Sequence, residues 1–387
     1  MRTLIKNALV LQGNEFKYLN VVLNDDIIEE IIPQKEGETL ETIDQVVDLA
    51  GKYLTPGFID IHTHGAVNED VNNTSPAGLA KISKFFASQG TTSWLMSVLT
   101  DERASVKQAI THFNDYQAQI EKVNNLLGIH LEGPFLSEDY RGSMPLHLLQ
   151  AYDPTFVPEM QALANGCVRY MTLAPEVTGV AEGIPEIQQQ GVVVSMGHSG
   201  ATYEVAKQAI TDGVASCTHT FNAMGLFHQH HPGVMGAVLE SDTIYCEAIC
   251  DGRHLHPGTI RMLIKTMGLD KVVMITDSIM AAGLADGEYR LGVNHIVVKD
   301  GDARLRDQDV RAGSTLTMQQ ALLNMLQFTD LSIGQILQMM TSNPARLLGI
   351  FDEYGSITVG KKANLLQLDL DGSLLKTWVD GQIVYQK

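Results

Sequence analysis

From Pro56 onward, short apolar runs of strand length alternate with amphipathic helical stretches, and this alternation limits the fold more than any other feature of the chain. The runs fall at 57–62, 91–96, 127–132, 169–173, 192–196, 215–219, 244–249 and 271–276. Helical periodicity lies between several of them, at 75–88, 102–121, 203–212 and 257–267. Strand–helix units in series predict a parallel sheet, and eight of them predict a (β/α)₈ barrel of the TIM type, an α/β fold. The third-to-fourth and sixth-to-seventh connections are irregular in pattern.

The flanks read differently. Residues 1–53 alternate apolar and polar, with turns at Asp25-Asp26 and Lys35-Glu36-Gly37. Beyond Asp277, turns at Asp286-Gly287 and Asp300-Gly301 break the pattern, and helices resume near 317–326 and 333–340. Asn343-Pro344 reads as N-cap and first residue of a further helix over 345–348. The tail from Gly355 is β-like again, and Asp380-Gly381 signals a type I′ hairpin. The expectation is a small β-sandwich domain built by both chain ends, 1–53 plus 350–387, flanking a barrel domain over 54–349. An α/β barrel accommodates that length as one domain.

Bulk properties exclude some partners. The 387 residues are 44% hydrophobic with a formal charge of −18, and the isoelectric point is about 5.0. Such a surface repels nucleic acid and anionic membrane. Cys167, Cys217, Cys246 and Cys250 show neither a disulfide framework nor zinc-ribbon spacing, and read as buried free thiols. Residues 1–11 lack the pattern of a secretory signal, and no apolar run reaches membrane-spanning length. A cytoplasmic location is expected.

The chemistry sits at the strand ends. His62 and His64 close the first run, and alternation along a strand turns both imidazoles the same way. Glu132 ends the third run, His198 follows the fifth, His219 ends the sixth and Asp277 ends the eighth. Barrel active sites are built from the carboxyl ends of strands. A lone histidine or acid there is commonly a capped structural residue, but six metal-competent side chains at one barrel mouth point to a metal centre.

Glu132, His198 and His219 make a three-ligand set that leaves a position open, as catalytic zinc sites do. His62, His64 and Asp277, with Glu132 as a bridge, make a second. Zn²⁺ is the leading occupant, with Fe²⁺, Mn²⁺ and Co²⁺ as alternatives, one or two ions per subunit. Such an ion lowers the pKa of water from about 15.7 to about 7. Asp277 is then placed to act as general base and later to protonate a leaving amine.

At these residues the chain resembles the amidohydrolase superfamily, and within it most closely the N-acetylglucosamine-6-phosphate deacetylase family. The similarity runs over essentially the whole chain. Its most specific motifs are His130-Leu131-Glu132-Gly133-Pro134 and Thr218-His219 followed by Asn222-Ala223-Met224. Many superfamily members bridge their metals with a carbamylated lysine, whereas this family uses a glutamate, and Glu132 fits. The resemblance implies a deformed barrel plus a β-sandwich, assembled as a homodimer. It implies hydrolysis of the acetamide of N-acetylglucosamine 6-phosphate to glucosamine 6-phosphate and acetate. Glu132, His198 and His219 would be metal ligands and Asp277 the acid/base. His254 would bind substrate and polarise the acetyl carbonyl. Asn222 and Ala223 would contact the sugar phosphate, Ala223 through its backbone.

Two departures from the family pattern stand out. Where relatives carry an arginine that reaches phosphate across the dimer, this chain has His230, which lacks arginine's bidentate fork. Where relatives place histidine or glutamine after the third strand, it has Met144, with His147 nearby on a helix face. Arg253, beside His254, reads equally as an anion contact or a surface ion pair, and His112 and His295 read as surface residues. The galactosamine epimer is the nearest rival substrate. Another amide or ring substrate, and a noncatalytic scaffold that would have lost ligands, are more distant.

Overall fold

The structure is a computed structural model that describes residues 1–33, 42–119 and 123–387. The expected turn at Lys35-Glu36-Gly37 and the end of the expected 102–121 helix lie outside the described residues.

Eight parallel strands form the central sheet: β1 (Phe58–Asp60), β2 (Thr91–Leu99), β3 (Asn125–Glu132), β4 (Val168–Leu173), β5 (Val193–Met196), β6 (Ser216–Cys217), β7 (Tyr245–Ile249) and β8 (Val272–Ile275). They neighbour one another in chain order. All nine residues of β2 are buried, as expected of a strand covered on both faces.

The barrel is nearly closed. β1 and β8 form no ladder with each other, because Met339 and Met340 are wedged between them. Met274 N donates to Met339 O at 2.9 Å, and Ile59 N donates to Met340 O at 2.9 Å. The seam knits again at the carboxyl end, where Asp277 N donates to His62 O at 2.9 Å and His64 N donates to Ser278 O at 2.8 Å. Asp60 reinforces it from inside, accepting from Thr276 Oγ1 at 2.6 Å. Burial pushes this carboxyl up to about 6.

The expected helices at 75–88, 203–212 and 257–267 are present as α1 (Pro76–Ser88), α5 (Tyr203–Thr211) and α7 (Pro257–Met267). Their local signals are strong: Ser75 and His256 cap α1 and α7, each with proline as the first helical residue. The described part of the 102–121 stretch forms α2 (Arg103–Gln117).

The two irregular connections also contain helices, α3 (Phe156–Leu163) and α6 (Gly233–Glu240), and a helix the sequence pattern does not mark, α4 (Val180–Gln189), fills the fourth-to-fifth connection. α4 carries Gly183 and Pro185, and α6 carries Gly233 and Gly236. Local propensity there opposes helix, and packing against the barrel overrides it.

Next come α8 (Met318–Phe328), α9 (Ile333–Gln338) and α10 (Ser342–Leu347). The last corrects the helix expected over 345–348 with Asn343 as its cap. It begins three residues earlier, and Asn343 is inside it. The Asn343 side chain instead donates to Leu269 O at 2.7 Å and Val272 O at 2.6 Å, latching the helix to β8.

Among the described residues, both chain ends contribute to one eight-stranded sheet. Its strand Arg2–Gln12 pairs with Glu15–Asn24 along one edge, and with both Gln45–Asp48 and Tyr53–Pro56 along the other. Ile5, Val10, Val21, Leu54, Leu365 and Trp378 form its core. The expected hairpin at Asp380-Gly381 is present, with φ of 46° and 75°.

Between β8 and α8, where the sequence suggests only turns, lies a three-stranded antiparallel insert of Gly287–Leu291, Asn294–Lys299 and Asp302–Leu305. Its Leu291 and Ile296 pack with Leu99, Leu136, Met144 and Ile279 at the mouth of the barrel.

Candidate metal centre

The strand ends deliver their side chains through strained backbone. Glu132 is the last residue of β3. His198, His219 and Asp277 follow β5, β6 and β8, with φ of 47°, 30° and 50°. Phe221 and Ala223, just beyond, have φ of 75° and 50°. Each such non-glycine residue costs on the order of 1–3 kcal/mol, strain that clusters at functional sites. Gly197 lets β5 run close to β6, since a Cβ there would lie 2.6 Å from Thr218 Cβ. Glu176 then pins the His198 loop, accepting from Ser199 Oγ at 2.7 Å and from Gly200 N at 2.6 Å.

The six acids and histidines singled out from the sequence converge. Glu132 Oε1 lies 3.2 Å from His198 Nε2 and 3.4 Å from the Nε2 atoms of His219 and His62. Its Oε2 lies 3.4 Å from His64 Nε2. The Nε2 atoms of His198 and His219 are 3.0 Å apart, and those of His62 and His64 are 3.2 Å apart. Asp277 Oδ1 lies 3.1 Å from His64 Nε2 and 3.6 Å from His62 Nε2. All six residues are buried.

This donor set fits a divalent cation. Four imidazole Nε2 atoms face one carboxylate, and three of the rings have Nδ1 tied off behind. His62 Nδ1 meets Glu247 Oε2 at 3.0 Å, His64 Nδ1 meets Ser97 O at 2.8 Å and His198 Nδ1 meets Tyr140 O at 3.0 Å. A proton on Nδ1 turns the Nε2 lone pair inward, the arrangement of metal-ligating histidine. His219 Nδ1 is buried without a hydrogen-bond partner among the described residues. Two groups result, His62–His64–Glu132 and Glu132–His198–His219, each with ligand atoms within 4.8 Å of one another. Glu132 belongs to both.

Protonation follows the same geometry. Burial pushes the Glu132 carboxyl up, but His62 and hydrogen bonds from His198 and His219 prevail and hold it well below the usual range. Asp277 is likewise pushed up by burial and brought below the ordinary value by His64 and His62. Burial depresses the His62 ring, yet Glu247 and Glu132 raise it well above an ordinary imidazole. His130, buried beside His62, is driven well below the ordinary value and stays neutral between Ser97 Oγ and Thr172 Oγ1, each at 2.8 Å.

A cavity of about 240 Å³ opens over this cluster. His254, Asn222, Ala223 and Met144 all line it. His254 Nδ1 lies 2.7 Å from Asp251 Oδ2. Asn222 Nδ2 donates to His219 O at 3.0 Å and to Thr220 O at 3.2 Å. Gly142 brings its loop against His198: a Cβ there would lie 3.2 Å from His198 Cε1, at a φ of +57°. Met144 is buried against the insert, whose Leu291 also faces the cavity.

His230 is elsewhere. It is exposed, outside the cavity of its own chain, on a segment where Leu226 is 91% and Phe227 58% exposed. The Arg253 guanidinium donates to Asp300 O. His147 lies in the short 3₁₀ turn Leu146–Leu148, and His112 Nδ1 meets Thr74 O at 2.6 Å.

Sequence reasoning missed Glu247 and Asp60. Both are acids within apolar strand runs, and that contrast was their only local signal. It also missed the insert that roofs the cavity.

The chain is similar to known proteins over nearly its whole length. The model of the amidohydrolase family matches residues 53–384. N-acetylglucosamine-6-phosphate deacetylase of Bacillus subtilis (strain 168) is 34% identical over 386 residues, covering 99% of this chain and 97% of the relative. N-acetylgalactosamine-6-phosphate deacetylase of Escherichia coli O157:H7 is 30% identical over 338 residues, covering 87% and 89%. The crystal structure of N-acetylglucosamine-6-phosphate deacetylase from Pasteurella multocida superimposes with a TM-score of 0.93 at 32% identity, covering all of both chains.

Proposed function

The chain belongs to the amidohydrolase family, and from that membership we propose that it hydrolyses the acetamide of N-acetylglucosamine 6-phosphate, yielding glucosamine 6-phosphate and acetate. The observation that carries this reading is the convergence of four imidazole Nε2 atoms on Glu132 beside Asp277, at the floor of a cavity of about 240 Å³. The relatives named above share an acetamide and a 6-phosphate on a hexosamine, which supports the substrate class.

In this reading Glu132, His198 and His219 hold one divalent ion, and His62, His64 and Asp277, with Glu132 shared, offer a second position. Such an ion supplies Lewis-acid activation of water and of the acetyl carbonyl. Zn²⁺ suits the nitrogen and oxygen donors. Asp277, held ionised, accepts a proton from the attacking water. It returns that proton to the amide nitrogen as the C–N bond breaks, so the amino sugar leaves as the neutral amine and the acetyl group as acetic acid, which gives its proton to solvent to become acetate. His254, backed by Asp251, meets the acetyl oxygen. Asn222 and the Ala223 backbone hold the sugar phosphate, with Met144 as the apolar wall.

The same reading has the chain acting as a cytoplasmic homodimer in which His230 of one subunit reaches the phosphate held by the other. Support comes from the exposed Leu226 and Phe227 beside His230, apolar surface of the kind partners cover. No described helix is long and apolar enough to cross a membrane. The barrel over 54–349 is the catalytic unit, braced by the β unit of 1–53 and 350–387. The continuity of Tyr53–Pro56, hydrogen-bonded in the terminal sheet, with β1 supports that bracing.

A panel of N-acetylglucosamine and N-acetylgalactosamine, each with and without 6-phosphate, assayed for free amine, tests the reading. Hydrolysis confined to phosphorylated substrates, with the gluco epimer ahead, is expected. A preference for the galacto epimer would reassign the substrate, and equal kcat/KM on free N-acetylglucosamine would overturn the phosphate requirement.

A further inference from the structure

Glu247 sits in the middle of β7, wholly buried, in contact with no lysine or arginine among the described residues. Its three hydrogen-bond partners bear on the cluster above it. Oε2 meets His62 Nδ1 at 3.0 Å and accepts from His219 N at 2.9 Å. Oε1 accepts from Tyr170 OH at 2.7 Å. One carboxylate therefore orients a ring from the His62–His64–Glu132 group and fixes the backbone of a ligand from the Glu132–His198–His219 group.

The other histidines are served differently. His64 and His198 donate to neutral carbonyl oxygens, and His219 Nδ1 has no partner among the described residues. Among the described residues, His62 alone of these four histidines has a carboxylate behind its Nδ1. An anionic acceptor behind an imidazole keeps the proton on Nδ1, leaves Nε2 free and makes that nitrogen a stronger donor.

We infer that Glu247 is a positioning residue that sets the His62 donor and so governs whether the His62–His64 position holds a metal ion. The inference rests on the metal reading of the cluster. It goes beyond that reading by making occupancy of one position depend on a residue that touches neither ion nor substrate. Glu247→Gln is nearly isosteric and keeps an oxygen toward His62 Nδ1 and the His219 N–H, with its amide nitrogen turned to the Tyr170 hydroxyl, so that only the negative charge is lost. The lost charge leaves His62 Nε2 a weaker donor to a metal ion, while a hydrogen bond behind the ring remains. Glu247→Asp keeps the acceptor charge and only draws it back.

The test measures Zn²⁺ uptake by purified metal-free protein, using chelator competition and elemental analysis, with anomalous diffraction to locate the ions. Wild type is expected to take up two equivalents. Glu247→Gln should weaken the His62–His64 position by roughly 10–100-fold, leaving one tight ion on Glu132, His198 and His219. Glu247→Asp should fall between the two. A residue needed only for packing gives the opposite order, because the amide fills the same space. Gln equal to or better than Asp at the His62–His64 position would therefore overturn the inference. If the amide variant cannot be isolated folded, unchanged occupancy in Glu247→Asp overturns it alone. Two tight ions in every variant sinks the role of Glu247 while leaving the metal reading intact. A wild type that binds fewer than two ions overturns both the two-position reading and this inference.

Discussion

Thr276 Oγ1 donates to Asp60 Oδ2 at 2.6 Å, joining the end of the last barrel strand to the end of the first. The two residues are 216 apart in the chain. Asp60 also meets the backbone N–H groups of His62 and Thr276, each at 3.3 Å. One buried carboxylate thus holds the His62–His64 segment against the segment that carries Asp277.

Thr276→Val keeps the shape and deletes the shortest of these bonds. Leaving a buried carboxylate oxygen without its donor costs about 1–3 kcal/mol. Urea denaturation should show a midpoint lowered accordingly with an unchanged slope. A variant as stable as wild type would mean that the seam is held by the backbone bonds alone.

Asp277→Asn removes the group assigned to proton transfer while preserving size. Acetate release should fall by about 10²–10⁴-fold with the fold intact by circular dichroism. Chelation of the metal should abolish turnover, and added Zn²⁺ should restore it. Near-normal turnover in the Asn variant would remove Asp277 from the mechanism.

His230 stands outside the cavity of its own chain, so its assigned contact depends on a second subunit. His230→Ala should raise KM for the phosphorylated sugar about tenfold, the value of one charged hydrogen bond, with little change in kcat. Kinetics on the unphosphorylated sugar should not move. A KM unaffected on both sugars would return this histidine to the solvated loop.

Cys217, Cys246 and Cys250 are buried, and burial pushes the Cys246 thiol up to about 12. Cys167 is partly exposed. Thiolate is the reactive form, so an aromatic disulfide reagent should label about one thiol in the native protein and all four after denaturation. Rapid labelling of more than one native thiol would contradict this burial.

Much of the site was legible because its residues stand where a strand stops. His62, His64, Glu132, His198, His219 and Asp277 each interrupt an apolar run with a metal-competent group. Helix caps and isolated structural histidines do not recur at five strand ends of one barrel, whereas ligands of a shared ion must. Glu247 and Asp60 were not legible, because each is a single acid inside an apolar strand and gains meaning only from partners far along the chain. The helices α4 and α6 hid behind Pro185, Gly183, Gly233 and Gly236, whose propensity argues against helix. Asn343 looked like a helix cap because its neighbour is proline, but its amide found two barrel carbonyls instead.

By itself the sequence determined the parallel barrel, the β character of both chain ends and the set of side chains that meet at the mouth, because strand periodicity and strand-end chemistry are local properties. Only the tertiary structure decided which acid backs which histidine, how Met339 and Met340 wedge the barrel open, and that an antiparallel insert roofs the cavity. Those features depend on distance between residues remote in the chain, and no local pattern encodes them.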